Sequence, residues 1–185
     1  MADPFAEHLE LVDQVRSLQP TIDVVAHRLI EVYEAGGQLF TFGNGGSSCD
    51  AQHFAEELIA RYRRERRPLA ASSLSADASV LTCIGNDFGF EHVFSRQVEG
   101  LVREGDMVAA FSTSGRSENV VRGLVAARAQ GATTVLFGGG DGGSARQHAD
   151  HAFVVASTHT ARIQEMHVLL LHLIIEQVDA WAALT

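Results

Sequence analysis

The stretch that decides the fold is LFTFGNGGSSCDAQHFAEE, residues 39–57. A short apolar run, 39–42, leads directly into the glycine-rich segment 43–48, and helical periodicity begins within that segment. A strand that ends in glycines and continues into a helix is typical of α/β proteins. The glycines allow a ligand to approach the backbone closely, and the helix N-terminus offers free N–H groups to an anion. The alternative reading of this segment is a tight strand-to-helix turn without a ligand.

The same alternation of short apolar runs and helical segments continues toward the C-terminus. The later predicted strands are 69–72, 107–111, 133–137 and 152–155, and the predicted helices are 47–64, 90–102, 117–130 and 160–183. Strands that alternate with helices form parallel sheets with right-handed crossovers. The sequence therefore predicts an open α/β fold with a five-stranded parallel sheet covered by helices on both faces.

The first part of the chain has a different pattern. Residues 1–36 predict two helical segments, which Pro20 separates and a pair of glycines ends. Residues 37–185 then form the α/β core and a long terminal helix. Because no change in composition marks a boundary, we expect one domain over residues 1–185.

The terminal helix contains the apolar run VLLLHLII, residues 168–175. A helix that is apolar all round is buried on every side. Since a terminal helix of a small domain is rarely buried in this way by its own chain, we expect a second subunit to cover it.

Composition limits the possible functions. The net charge of -9 argues against general affinity for nucleic acid or anionic membranes, and all 14 basic residues are arginine. Without lysine, neither a Schiff-base side chain nor a P-loop is available. Two cysteines without a Cys-x-x-Cys pair, and no basic-then-apolar leader, predict a protein of the cytoplasm.

A second loop, Ser112-Thr113-Ser114-Gly115-Arg116-Ser117, follows the predicted strand 107–111. Its hydroxyl and backbone donors at a helix N-terminus suit a phosphate, and Ser117 is placed to cap the next helix. The alternative is a serine-rich loop with a capping serine. Residues 138–143 match G-x-G-x-x-G, but they follow a late strand and lack the acidic ribose partner, so we reject dinucleotide binding.

Two further groups of residues carry candidate chemistry. His53 and Glu57 are four residues apart on one helix, so both face the same way and can chelate a metal or place a base beside one. A solvated surface pair is the alternative.

The terminal helix carries the polar residues Gln164, Glu165, His167 and His172, and His172 lies within the apolar run. A buried imidazole needs a hydrogen bond or a metal, and a satisfied core histidine is the alternative there. The basic run 61–67 predicts a solvated helix end.

Taken together, these motifs resemble the phosphoheptose isomerases, which have the sugar isomerase (SIS) fold. The shared segments, in the order of the family, are Gly43–Ser47, Asp50–Leu58, Gly85–Phe90, Phe94–Arg96, Ser112–Gly115 with Ser117, and Arg162–Glu165 leading to His172. They extend over almost the whole chain. The resemblance is therefore far more specific than any single motif.

The resemblance implies a flavodoxin-like three-layer sandwich, a homotetramer, and conversion of D-sedoheptulose 7-phosphate to D-glycero-D-manno-heptose 7-phosphate. It implies one zinc ion per subunit, with His53, Glu57, Gln164 and His172 as ligands, and it assigns Glu57 and His172 as the acid/base pair. The substrate-binding residues that it implies are Asn44, Gly45, Gly46, Ser47, Asn86, Asp87, Ser112, Thr113, Ser114, Ser117 and Gln164.

The sequence departs from the family in one place: Ala161 stands where family members often have aspartate before Arg-Ile-Gln-Glu. This segment is closer to a non-catalytic relative that binds the bacterial replication initiator. That relative lacks the residues matching Glu57 and His172, and both are present here, which favours an enzyme. The open alternatives are an SIS-fold binding protein and an isomerase of another long-chain sugar phosphate, such as an octulose 8-phosphate.

Overall fold

A computed structural model describes residues 3–184 of the chain. Its centre is a five-stranded sheet in which every pair of neighbours is parallel and the strand order is β2-β1-β3-β4-β5. The strands are β1 (Leu39–Gly43), β2 (Ala71–Ser73), β3 (Met107–Ser112), β4 (Thr133–Gly139) and β5 (His151–Val155). This order is the flavodoxin-like one, so the predicted fold is confirmed.

Helices cover both faces of the sheet. They are α1 (Pro4–Arg16), α2 (Gln19–Glu34), α3 (Gly46–Ile59), α4 (Ala78–Phe88), α5 (Ser95–Leu101), α6 (Glu118–Ala129) and α7 (Thr160–Ala182). Along β3, Ala109 and Phe111 belong to the core shared with α1, α2, α3 and α7, whereas Val108 and Ala110 belong to the core shared with α4, α5 and α6. The period of two in a strand thus divides the interior into two apolar layers, one on each face of the sheet.

All five strands lie within two residues of their predicted starts, but three helical segments differ from expectation. The predicted helix 90–102 is divided into a 3-10 turn, Phe90–His92, and α5. Helix α4 was not predicted. Its apolar residues Val80, Leu81 and Ile84 recur at helical spacing, but its second half continues with Gly85, Asn86 and Asp87, which have low helix propensity. Its sequence signal is Asp77, whose carboxylate caps the helix by accepting hydrogen bonds from the backbone N–H groups of Ser79 and Val80.

Helix α3 ends at Ile59 rather than at residue 64, so the basic run 61–67 lies in a loop and the prediction of a helix end there was wrong. One of its arginines is buried instead of solvated. The Arg66 guanidinium donates hydrogen bonds to the backbone carbonyls of Glu57 and Leu58 and pairs with the buried carboxylate of Asp179.

The cover of α7 also differs from expectation. Helices α1, α2 and α3 of the same chain pack along it, and the apolar run leaves Leu169 and Leu173 half-buried. Its apolar composition therefore has an explanation within one chain, and the inference of a second subunit from this helix is not supported. None of the helices within residues 3–184 has the length and apolarity needed to cross a membrane.

Candidate active site

In an open sheet of this order, ligands bind at the carboxyl ends of the strands where the order reverses, which here lies between β1 and β3. The glycine-rich loop follows β1 and the serine-rich loop follows β3, so the two predicted loops meet at that point. A pair of hydrogen bonds between the side-chain amides of Asn44 and Asn119, 2.8 and 2.9 Å long, joins the first loop to the start of α6. Asn119 was missed from the sequence, because nothing in its surroundings there distinguishes it from a helical surface residue.

The glycine loop requires glycine at specific positions. Gly45 has φ of 54° and occupies the N-cap position of α3, and the first-turn N–H groups of Ser47 and Ser48 donate to the carbonyls of Asn44 and Gly45 at 3.0 Å. A Cβ at Gly46 would overlap the side-chain amide of Gln164 from α7. The structure thus brings Gln164 against the glycine loop, whereas Ser47 is buried beneath it.

The serine loop divides its hydroxyl groups between the protein and the solvent. Ser112 is buried, and its Oγ accepts a hydrogen bond of 3.1 Å from the N–H of Gly115. Thr113 is half-buried, and together with the exposed Ser114 it lines a cleft of about 390 Å³ between this loop, the residues after β4 and the start of α7. Ser117 occupies the N-cap position of α6 as predicted, but its side chain makes no capping hydrogen bond.

The second glycine-rich segment, 138–143, supports the serine loop. A Cβ at Gly115 would overlap the carbonyl oxygen of Gly142, and the Arg116 guanidinium pairs with both oxygens of Asp141 at 3.0 and 2.8 Å. The glycines therefore allow the two backbones to touch, which explains the motif without a dinucleotide.

Three of the predicted metal ligands come together between α3 and α7. One candidate ligand atom from each of His53, Glu57 and His172 lies within 4.8 Å of the others. The Nε2 atom of His53 is 3.2 Å from a carboxylate oxygen of Glu57 and 3.4 Å from the Nε2 atom of His172. Two imidazole nitrogens and a carboxylate oxygen that converge in this way are a donor set for a divalent cation. The side-chain amide of Gln164, the fourth predicted ligand, lies against Gly46 in the glycine loop.

The histidine cluster is partly shielded from solvent. Burial lowers the pKa of His172, and the neighbouring His53 acts in the same direction, so the ring favours its neutral, metal-binding form. The ring of Tyr62 stacks on His172 with centroids 5.6 Å apart. Nearby on α3, burial raises the pKa of Asp50 to about 6, and its Oδ2 atom is buried without a hydrogen-bond partner among residues 3–184. Neither Tyr62 nor Asp50 was predicted as a site residue.

The remaining predicted residues are placed differently. Asn86 and Asp87 are exposed at the end of α4, where the hydrogen bonds found for their side chains within residues 3–184 join them to each other and to Cys83. His167 is fully buried and donates Nε2–H to the carbonyl of Gly138. It is therefore a core histidine, which is the role that the sequence analysis gave as the alternative for His172. Ala161 is exposed in the first turn of α7.

Comparison with known proteins agrees with this geometry. The model of the SIS domain family matches residues 5–139. A phosphoheptose isomerase of Roseiflexus sp. is 47% identical over 165 residues, covering 89% of this chain and 84% of its own. The solved phosphoheptose isomerase structures from Neisseria gonorrhoeae and Francisella tularensis superpose with TM-scores of 0.89 and 0.91 at 38% and 32% identity, and each covers 95% of this chain. They are covered to 95% and 94% of their own lengths. The chain therefore belongs to the SIS domain family and, within it, to the phosphoheptose isomerases.

Proposed function

We propose that this chain is an aldose–ketose isomerase that converts D-sedoheptulose 7-phosphate to D-glycero-D-manno-heptose 7-phosphate. The observation that carries the proposal is the convergence of His53, Glu57 and His172 on the two helices that meet at the glycine loop. Membership of the phosphoheptose isomerases supplies the substrate class.

The two loops at the switch point divide the substrate between them. The hydroxyls of Thr113, Ser114 and Ser117, with the N-terminus of α6, hold the phosphate. Asn44, Gly45, Gly46 and Gln164 contact the sugar at the glycine loop, and Asn86 and Asp87 are assigned to substrate by family resemblance. Ser112 and Ser47 contribute by shaping the loops, because both are buried.

The cation that we propose for the cluster is zinc. Ligand atoms that surround zinc tetrahedrally at about 2.0–2.1 Å lie roughly 3.4 Å from one another. The separations of 3.2 and 3.4 Å between the cluster atoms fit that spacing. His53, Glu57 and His172 would hold the ion, with Gln164 as the fourth ligand. When bound, zinc polarises the substrate carbonyl as a Lewis acid.

The reaction itself needs two proton transfers. The Glu57 carboxylate removes a proton from C1 of the ketose, which gives an enediolate, and returns a proton to C2, which gives the aldose. His172 moves the hydroxyl proton through Nδ1, the ring nitrogen that remains available when Nε2 holds the ion: Nδ1–H donates its proton to O2, and Nδ1 then takes the proton of O1. All atoms of the substrate remain in the product.

We also propose a homotetramer, which rests on family resemblance alone. Light scattering at micromolar concentration should then give four times the chain mass. A stable monomer with full activity would contradict this part of the proposal.

A turnover assay in D₂O tests the function. Sedoheptulose 7-phosphate should be converted to the aldose, and the product should carry deuterium at C2, because the proton passes through an exchangeable carboxyl group. Conversion without deuterium would contradict the enediolate route. An absence of turnover would favour the non-catalytic binding protein, and faster turnover of an octulose 8-phosphate would favour the alternative substrate.

A further inference from the structure

The ring of His172 has two aromatic neighbours. One is His53, edge-on, with ring centroids 5.0 Å apart and an interplanar angle of 81°. The other is Tyr62, whose ring stacks on the imidazole at 5.6 Å and 30°. The first contact joins two members of the metal cluster, whereas the second comes from the loop that follows α3.

His172 lacks the contact that normally orients a metal-binding histidine. Such a histidine usually donates its second ring N–H to a carboxylate or a carbonyl, which fixes the rotation of the ring. Within residues 3–184, the hydrogen bond found for His172 is made by Nε2 to His53, and none is found for Nδ1. Because the terminal torsion of histidine is broad, the ring needs another restraint to keep Nε2 directed toward the cluster.

Tyr62 is itself held in place by α7. Its hydroxyl donates a hydrogen bond of 3.4 Å to Glu176, which lies one helical turn after His172. Arg63 pairs with the same carboxylate at 2.7 Å, and its guanidinium lies 5.0 Å from the centre of the Tyr62 ring. The tyrosine ring is therefore fixed against the helix that carries His172.

The loop that carries Tyr62 is anchored to both helices of the cluster. Arg66, whose side chain has 0% exposure, donates to the carbonyl of Glu57 at 2.7 Å and pairs with Asp179 of α7 at 3.1 Å. A buried pair that also binds backbone carbonyls resists displacement, because removing either partner leaves an uncompensated charge. The position of Tyr62 is thus coupled to α3 and α7 together.

We infer that Tyr62 is a positioning residue whose ring face sets the orientation of the His172 imidazole, so that Nε2 faces His53 and Glu57. The inference rests on the proposed function for its place in the reaction. The orientation itself can be tested without turnover, through the affinity of the cluster for a metal.

The experiment compares Tyr62→Phe and Tyr62→Leu in the full-length protein, after the metal has been removed and Co²⁺ has been titrated back. Tyr62→Phe keeps the stacked ring and loses one long hydrogen bond, so its dissociation constant for Co²⁺ should stay within about threefold of the unsubstituted value. Tyr62→Leu loses the flat face, so its dissociation constant should rise about 10–100-fold, with a changed visible spectrum of the bound Co²⁺. A residue that served only stability would lower the melting temperature and leave the spectrum unchanged.

The matched control is Trp181→Leu. Trp181 is an aromatic residue of α7 whose ring stacks on Tyr33 rather than on His172. This control should bind Co²⁺ like the unsubstituted protein. If Tyr62→Leu does not fold, Tyr62→Met fills a similar volume without a flat face and is held to the same criteria. Unchanged Co²⁺ affinity and spectrum in the folded Leu or Met variant would overturn the inference, as would a failure of the unsubstituted chain to bind Co²⁺. Failure of the proposed function appears separately, as absent turnover of sedoheptulose 7-phosphate by the unsubstituted protein.

Discussion

His167 and His172 lie on the same helix, but their surroundings differ in almost every respect. His167 is fully buried, packs edge-on against the stacked rings of Phe111 and Phe137, and donates Nε2–H to the carbonyl of Gly138 at 3.1 Å. Its Nδ1 atom is buried without a partner among residues 3–184. His172 is half-buried and turns Nε2 toward His53. One histidine connects α7 to the sheet, and the other faces a group of metal-binding side chains.

The comparison shows that the surroundings, rather than the residue type, separate a structural from a reactive group. The serine loop shows the same contrast between a buried and an outward-facing group: Ser112 is buried and bonds to its own loop, whereas Thr113 faces the cleft. In each pair, we expect the inward member to affect stability and the outward member to affect catalysis or binding. Substitutions at these four positions test that separation.

The largest effect should follow from changing the outward histidine and its partner. His172→Gln and Glu57→Gln should each lower kcat by about 10²–10⁴-fold, the usual contribution of a general acid or base. Steady-state kinetics with sedoheptulose 7-phosphate measure the loss, and thermal unfolding should show little change because both side chains are only partly buried.

Metal content, measured on both variants, separates the two roles of Glu57. Loss of kcat with zinc retained identifies the base, and loss of both identifies a ligand whose removal disables the site. If Glu57→Gln retained zinc and near-normal kcat, another residue would be the base.

Changing His167, the inward histidine, should lower the stability of the fold and leave kcat close to normal. His167→Ala removes a fully buried ring and its hydrogen bond to the carbonyl of Gly138, so the free energy of unfolding should fall by about 2–4 kcal/mol. Denaturant unfolding measures this loss. At a temperature where the variant is folded, its kcat should remain close to normal, and a hundredfold decrease there would show that His167 takes part in the chemistry.

The pH dependence of stability should also report on His167. Burial lowers its pKa to about 4, so below the ordinary value of 6.5 the unfolded chain binds a proton that the folded chain does not. Its neutral form therefore supports the fold above pH 6.5, and that support is lost as the pH falls toward 4. Between pH 7 and pH 5 the loss should be about 2 kcal/mol.

His167→Gln keeps a side-chain donor and does not titrate, so the unfolding free energy of the variant should fall less over this pH range. Asp50 works in the opposite direction, because burial raises its pKa to about 6 and its folded-state penalty decreases as the pH falls. The difference between the unsubstituted protein and His167→Gln therefore isolates the histidine. Parallel curves for the two proteins would contradict the assignment.

Much of the fold could be predicted from the sequence because most of its strands are short apolar runs, and β1, β3 and β4 end in glycine or serine. The features that the sequence did not predict have physical explanations. Helix α4 is short, and Gly85, Asn86 and Asp87 in its second half have low helix propensity, although its apolar residues recur at helical spacing. The basic run 61–67 suggested a solvated surface, because the partner that buries Arg66 is Asp179, more than a hundred residues later.

The candidate site could be predicted only as far as local spacing reaches. His53 and Glu57 share one helix face, so their spacing indicated a pair. Their convergence with His172 depends on how α3 packs against α7, which no local pattern contains. The roles assigned to Asn86 and Asp87 came from family resemblance and remain proposals. Tyr62 could not be found from spacing, because its contact with His172 depends on the course of an irregular loop.

The smallest effect separates the two hydroxyl groups of the serine loop. Thr113→Val removes one donor to the substrate phosphate while keeping the shape of the side chain, so KM should rise about tenfold, the lower end for a hydrogen bond to a charged group. Ser112→Ala removes the buried Oγ that accepts from the N–H of Gly115 at 3.1 Å, while the carbonyl of Ser112 still accepts from that N–H, so the melting temperature should fall and KM should change less than in Thr113→Val. Both quantities are measured on both variants, with phosphate-free sedoheptulose as a control substrate that should not distinguish Thr113→Val from the unsubstituted protein. The same increase in KM for Ser112→Ala, without loss of stability, would show that the buried hydroxyl also reaches the phosphate, and the separation of inward and outward groups would then fail in this loop.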